Sequence, residues 1–575
     1  MPEPSRLLPF IQTNGRVCAA YAESAGIYRI VPSGVAVPSS LADLRDLVRW
    51  ANAGGHGLIA RGAGSGIPGN AVGSGIIVDL RERLPRRLEI DPATGTALTS
   101  ANVTQAELNR AAQSHGLRLP PDPSSSSWAT LGGMVATNAA GARTVRYGPV
   151  RPWVEALEVV TADGEVGWLE RGKDLPAQSG PTAGVRPDRL GRHQDGRDGR
   201  ALAAIERFRG DVAPAIAAAK DSVLARFPRT RKNTAGYALD QWLASGDDLD
   251  LLIGAEGTLG FVTTICWRLD PIPKARSGLR IALRSLDDLE EAVRALVGLN
   301  PSAVELLDRT FLDLVNQGTA HRPRGAGVPA AAEAVLLVEF ERNDTASARG
   351  VAGDAVRAVQ GIALDVETAL TAEEETDLWA LRHAASPILA GLPPDRCSLQ
   401  VIEDGCVPLP RLGEYVRAVR DAARARQLTV VIFGHAGDGN VHVNVLPELA
   451  RPDWRERVAG LFWEVSAAAL QLGGTVSGEH GDGRLRAPLL EQLYGAVVMG
   501  LFHRVKTAFD PRGIFNPGVK LGGEGSPIQQ LKVGPDAAPI PESIAAAFRE
   551  IERTGGYARS RLEIAKEATG VREQG

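Results

Sequence analysis

The chain has 575 residues, 44% of them hydrophobic and 23% charged, with a formal net charge of -4 and a pI near 6.2. That length exceeds what one hydrophobic core organises, so two or more domains are expected. The near balance of charge gives no electrostatic ground for a nucleic acid or an acidic membrane surface as partner, and a small anionic substrate would need cations placed locally.

No apolar run is long enough to span a bilayer, and MPEPSRLLPFIQTNG at the start lacks the basic, apolar and small-residue succession of a secretory leader. The expectation is a cytoplasmic protein with no integral membrane segment, or one peripheral to the inner face of the membrane. The four cysteines, Cys18, Cys266, Cys397 and Cys406, form no C-x-x-C pair and read as buried thiols rather than as cluster or structural zinc ligands.

In chain order, SSLADLRDLVRWANAGG predicts a helix with Leu41, Leu44, Leu47, Val48 and Ala51 on one stripe, Ser40 as N-cap and glycines at its end. The strand HGLIA follows, then the loop Arg61-Gly-Ala-Gly-Ser-Gly-Ile-Pro-Gly-Asn70 and a strand from Gly75. The loop contains a literal G-x-G-x-x-G, but Pro68, Gly69, Asn70 and Gly73 lead into a strand where the dinucleotide fingerprint requires a helix. A glycine loop still forms an anion nest from backbone N–H groups, and a diphosphate suits it.

WVEALEVVTADGEVGWL reads as two strands turning at Asp163-Gly164, and residues 176–200 as a mobile surface insertion without chemistry. After Pro271 and Pro273, strands LRIAL and AVLLVEF alternate with helices such as LDDLEEAVRALVGL, so a second α+β domain begins there. The glycine- and proline-rich stretch past Lys520 predicts a loosely packed terminus.

Only nine histidines occur, yet three fall in two glycine-rich segments, His435-Ala-Gly-Asp-Gly-Asn-Val-His442-Val-Asn444 and Gly478-Glu479-His480-Gly481-Asp482-Gly483. The first predicts a hairpin of LTVVIFG and VHVNVL with Val441, Val443 and Val445 on one face, His442 and Asn444 on the other, and His435 brought back towards them. A polar outer face with incidental histidines explains that segment alone equally well. The second shifts the balance: adjacent Glu479 and His480 point in different directions, one suited to a metal and the other to acid/base work, and imidazoles with a carboxylate suit a borderline divalent metal.

The loop at 61–73, the segments 120–141 and 254–260, Arg231-Lys-Asn233-Thr234-Ala-Gly236-Tyr237, both histidine segments and Phe509-Asp-Pro-Arg-Gly-Ile-Phe-Asn516-Pro517-Gly518 recur in one order. Together they resemble the vanillyl-alcohol-oxidase-type (PCMH-type) FAD-binding flavoproteins, in the branch of D-lactate and D-2-hydroxyglutarate dehydrogenases and the glycolate oxidase flavoprotein subunit. The resemblance implies an α+β fold, with a two-subdomain FAD-binding domain over 1–273 rejoined by 510–521. A ferredoxin-like cap and metal-binding domain would span 274–509, and a tail 522–575.

It further implies that Arg61, Gly62, Ala63, Gly64, Ser65, Gly66 and Asn70 hold the FAD pyrophosphate. Pro123, Thr130, Gly133, Asn138, Gly141, Glu256, Gly257 and Asn516 would complete the cofactor site. The loop has no histidine, so FAD is expected to be non-covalent. By the same resemblance His435, His442 and Glu479 hold a divalent metal, usually zinc, and His480 is the catalytic base. Arg382, Ser386 and Asn444 would bind a small 2-hydroxy acid. One departure stands out: Ile402 replaces a substrate lysine of 2-hydroxyglutarate enzymes, with Arg396 or an arginine elsewhere as a stand-in. Electrons are expected to pass to a separate iron–sulfur protein, electron-transfer flavoprotein or quinone. The competing readings are a non-redox flavoprotein of the alkylglycerone-phosphate synthase type and a flavin-holding electron-transfer subunit.

Overall fold

The computed structural model describes residues 8–172, 197–198, 202–317, 328–393, 396–522 and 526–567. Apart from the two-residue strand Arg197–Asp198, the insertion at 176–200 lies outside the described residues.

The first sheet has four strands in the order Ile11–Gln12, Gly34–Ala36, Ile76–Asp79, Leu58–Arg61, the last three mutually parallel. Helix Leu41–Gly54 forms as its sequence signals dictate: the Ser40 side chain accepts from the Asp43 N–H, and Gly55 ends it at a φ of 70°. Its stripe of Leu44, Leu47, Val48 and Ala51 packs on Leu58, Ile76 and Val78. Strand alternation sends Val35, Ile59 and Ile77 to the opposite face, where Ile544, Phe548, Ile551 and Ile564 of the last two helices cover them. The terminus read from sequence as loose is therefore docked. Helices Glu542–Thr554 and Arg561–Glu567 complete the first sheet, and the Tyr28 hydroxyl donates to the Pro527 carbonyl at 2.7 Å.

A six-stranded sheet follows, ordered Arg197–Asp198, Val166–Glu170, Val154–Val160, Phe261–Arg268, Thr96–Ser100, Leu88–Asp91. The hairpin read at Asp163-Gly164 is present, with Gly164 at a φ of 69°. Strand Asp270–Pro271 then pairs with Leu117–Arg118 as the chain leaves this region.

The third sheet has seven strands, in the order Ala363–Ala369, Ala275–Leu283, Ala334–Arg342, Ala303–Asp308, Thr429–His435, Asn440–Leu446, Gly405–Cys406. Its pairings are antiparallel. One face carries Ile281, Val338, Leu306, Ile432 and Val443, packed on residues of helices Leu289–Val297, Thr345–Val359, Leu412–Ala425 and Trp454–Gln471. Period two then puts Glu339, Glu341, Glu305, Phe433, His435, His442 and Asn444 on the other face, all of them buried. Buried carboxylates need cations, and the neighbouring segment supplies them. Arg118 holds Glu341 through two nitrogens at 2.8 and 2.7 Å, Arg143 holds Glu339 at 2.8 and 2.7 Å, and the Tyr147 hydroxyl donates to Glu341 at 2.6 Å.

Phe548 is 4% exposed. Phe548→Ala is expected to cost about 3–5 kcal/mol, read as a lower urea midpoint, because it opens a cavity against Ile59 and Ile77; a change within about 0.5 kcal/mol, the size typical of a surface position, would show that the last helices do not complete this core.

Candidate active site

A cavity of about 780 Å3 runs from the glycine loop to the polar face of the seven-stranded sheet, within the size range of cofactor and substrate pockets. Of the residues read as cofactor-binding, Arg61, Gly62, Ala63, Gly64, Ser65, Gly66, Asn70, Pro123, Thr130, Gly133, Gly141, Glu256 and Gly257 line it. Asn138 and Asn516 do not. Asn138 is the left-handed C-cap of helix Leu131–Thr137 and accepts from the Arg151 N–H at 3.1 Å. Asn516 donates to the Asn70 and Glu256 carbonyls at 2.9 and 2.7 Å, tying two cavity-lining segments together from behind.

The loop is shaped from within. Arg61, 1% exposed, donates to the carbonyls of Tyr21, Glu23 and Ala71 at 3.3, 2.7 and 3.2 Å, so its guanidinium braces the loop. Among the described residues the N–H groups of Ala63, Gly64, Ser65 and Gly66 have no protein acceptor. Four such donors on a cavity wall form a nest for a diphosphate, and the residues present fit FAD. Gly141 is required by its place: at a φ of 149° a Cβ would stand 2.4 Å from the Asp122 carbonyl oxygen.

At the other end the predicted hairpin holds, with Phe433 opposite His442 and His435 opposite Asn440. His435 Nδ1 shares a hydrogen bond with Glu305 at 2.6 Å, and its Nε2 lies 2.9 Å from Glu479 Oε1. His442 donates through Nδ1 to the Glu403 carbonyl at 2.6 Å, leaving its Nε2 lone pair 3.4 Å from the same Glu479 oxygen. Burial lowers the His442 pKa against the upward pull of Glu479 and so favours the neutral ring. A lone pair facing a carboxylate oxygen is unfavourable unless a cation lies between them. The ligand atoms of His435, His442 and Glu479 fall within 4.8 Å of one another, and the Nδ1 partners Glu305 and the Glu403 carbonyl orient both rings. The residues present therefore fit a divalent metal.

His480 stands beside this trio, its ring 5.1 Å from that of His442 and its side chain 27% exposed. Nδ1 bonds the Glu403 carboxylate, which Arg486 holds from its other oxygen. Asp404 accepts from the backbone N–H groups of Glu479 and His480, at 3.0 and 2.9 Å for its Oδ2, and so pins the Gly-Glu-His turn. Burial pulls the His480 pKa down, but the Glu403 and Asp404 charges outweigh it and push the value to about 9. A cation among the three ligands would act in the opposite direction.

Arg382 lines the cavity, donates through Nε to Glu305 at 2.7 Å and lies over the Phe433 ring at 4.9 Å. Asn444 also lines it, and its Oδ1 accepts from the Ser398 hydroxyl at 2.9 Å. The Ser386 side chain lies outside the described residues. Ile402 is in the core, while Gln400 faces the cavity; Arg396 is turned outward, 3.9 Å from Glu448. Sequence reasoning missed Glu305, Glu403, Asp404, Arg486 and Lys232. Lys232 lies in the segment RKNTAGY and Glu403 and Asp404 directly follow Ile402, so carboxylates or cations beside glycines and prolines were the available signal.

Residues 272–519 match the family of FAD linked oxidases, C-terminal domain, and residues 32–170 match the FAD binding domain family. The glycolate oxidase subunit GlcD of Bacillus subtilis is 30% identical over 507 residues, 88% of this chain and 92% of that protein. The D-lactate dehydrogenase of Archaeoglobus fulgidus is 29% identical over 486 residues, 84% of this chain and 90% of that one. Among solved structures, p-cresol methylhydroxylase with substrate bound superposes with a TM-score of 0.62 at 14% identity, covering 89% of this chain and 93% of that chain, a likeness of fold. The expected α+β flavoprotein fold is thereby borne out, and no helix among the described residues is long and apolar enough to cross a membrane. With both family regions present in order, the chain belongs to the FAD-linked oxidases and is an FAD-dependent oxidoreductase.

Proposed function

We propose that this chain oxidises a D-2-hydroxy acid, of the D-lactate, glycolate or D-2-hydroxyglutarate class, to the 2-oxo acid with non-covalent FAD and a divalent metal, zinc by its donor set. A separate acceptor, an iron–sulfur protein, electron-transfer flavoprotein or quinone, takes the electrons. One observation carries this reading: the cavity that begins at the glycine loop ends at two oriented imidazoles, a carboxylate, a separate carboxylate-backed histidine and an arginine. The activities named for the two relatives agree with it.

FAD, held at the glycine loop, would supply a hydride acceptor, and a divalent metal, held by His435, His442 and Glu479, would supply Lewis acidity towards the hydroxyl. The remaining work falls to the chain. Arg382 meets the substrate carboxylate, its Nε fixed by Glu305 so that the guanidinium plane is set in advance. Asn444, oriented by Ser398, adds a polar contact. His480 accepts the hydroxyl proton at Nε2 while Glu403 holds the opposite nitrogen. The hydroxyl proton goes to His480, the C2 hydrogen leaves with its electron pair, and the C–O bond becomes a carbonyl. Arg486 keeps Glu403 ionised at about pKa 2 against the upward push of burial.

Two outcomes are expected. Anaerobic mixing with D- and L-lactate, glycolate, malate and 2-hydroxyglutarate should bleach the flavin rapidly with one D-acid or glycolate and not after chelation; a flavin that no hydroxy acid reduces would sink the proposal. His480→Ala and Glu403→Gln should each retain FAD and slow flavin reduction by at least about 100-fold, with the double variant no slower than the worse single one, since base and orienting carboxylate act as a unit. Unaltered reduction by His480→Ala would remove it as the base.

A further inference from the structure

Lys232 belongs to the segment RKNTAGY, and the reading above gives it no task. Its side chain is 1% exposed. Nζ donates to Glu479 Oε2 at 2.7 Å, to the Gly141 carbonyl at 3.2 Å and to Asn440 Oδ1 at 3.5 Å, and lies 3.6 Å from Asp438 Oδ2. These partners have three origins. Glu479 is a proposed metal ligand, Gly141 is part of the cavity wall on the flavin side, Asp438 lies in the turn between the strands that carry His435 and His442, and Asn440 opens the second of those strands.

The two oxygens of Glu479 are thereby distinguished. Oε2 is taken by the ammonium, whereas Oε1 is the atom that faces both His435 Nε2 and His442 Nε2. A carboxylate held only at its backbone would be free to rotate and exchange its oxygens, so the second contact selects the one presented to the imidazoles. Asp438 reinforces the need for a cation here, because both of its carboxylate oxygens are buried without a hydrogen-bond partner among the described residues.

Resting on the metal reading above, we infer that Lys232 is a positioning residue: it orients Glu479 for the metal and, through the Gly141 carbonyl, ties that ligand to the flavin-side wall. The chain thus builds the link between its two reaction partners into one buried ammonium. Outer partners of metal ligands typically change affinity by about 10- to 100-fold when removed.

The test uses FAD-loaded wild type, Lys232→Met and Lys232→Gln, stripped with chelator and titrated with Zn2+ by equilibrium dialysis, with FAD content and thermal midpoint measured on the same samples. Wild type should bind one zinc per chain. Lys232→Met should bind it about 10- to 100-fold more weakly while keeping its FAD. Lys232→Gln, which keeps an N–H donor for Oε2, should fall between the two. Wild-type affinity in Lys232→Met overturns the inference; should that variant not fold, wild-type affinity in Lys232→Gln overturns it equally. A wild type that binds no zinc defeats the metal reading itself and is distinguishable from either result.

Discussion

Five glutamates, 305, 339, 341, 403 and 479, are at most 6% exposed, and their ionised forms persist because each has a cation in contact. Arg382 and His435 share Glu305; Arg143 holds Glu339; Arg118 and Arg276 hold Glu341; Arg486 and His480 hold Glu403; Lys232 and His435 hold Glu479. Leaving one of these charges unpaired in the interior would cost several kcal/mol, more than most single contacts in a protein contribute. This requirement joins the seven-stranded sheet to the segment carrying Arg118, Arg143 and Tyr147. It also aligns the rings of His435 and His480, since both imidazoles use Nδ1 to meet a buried carboxylate and turn Nε2 towards Glu479.

Much of this frame was legible in the sequence because it rests on local rules. Period-two alternation in VHVNVL separated His442 and Asn444 from three valines, and the observed register keeps that division. The cap signals around Leu41–Gly54 and the strand following the glycine loop, which ruled out the dinucleotide fingerprint, were equally local. The partners were not legible. Glu305 meets His435 across 130 residues, and Lys232 meets Glu479 across 247, separations at which no spacing rule operates.

Asn138, Asn516 and Arg61 illustrate a second limit. Each is a residue type suited to binding, yet its observed hydrogen bonds brace the backbone or cap a helix. The terminus illustrates a third. Its glycines and prolines shape the approach to helix Glu542–Thr554, and composition alone could not show that Val35, Ile59 and Ile77 lacked a cover until that helix arrived.

That last arrangement has a bearing on biosynthesis. The strands bearing Val35, Ile59 and Ile77 leave the ribosome long before the side chains that cover them, from Ile544 onward. At roughly 5–20 residues per second, this half of the sheet stays wettable for tens of seconds, through the translation of every element of the catalytic cavity. The sheet becomes two-sided only once Ile544 and the helix that carries it have emerged.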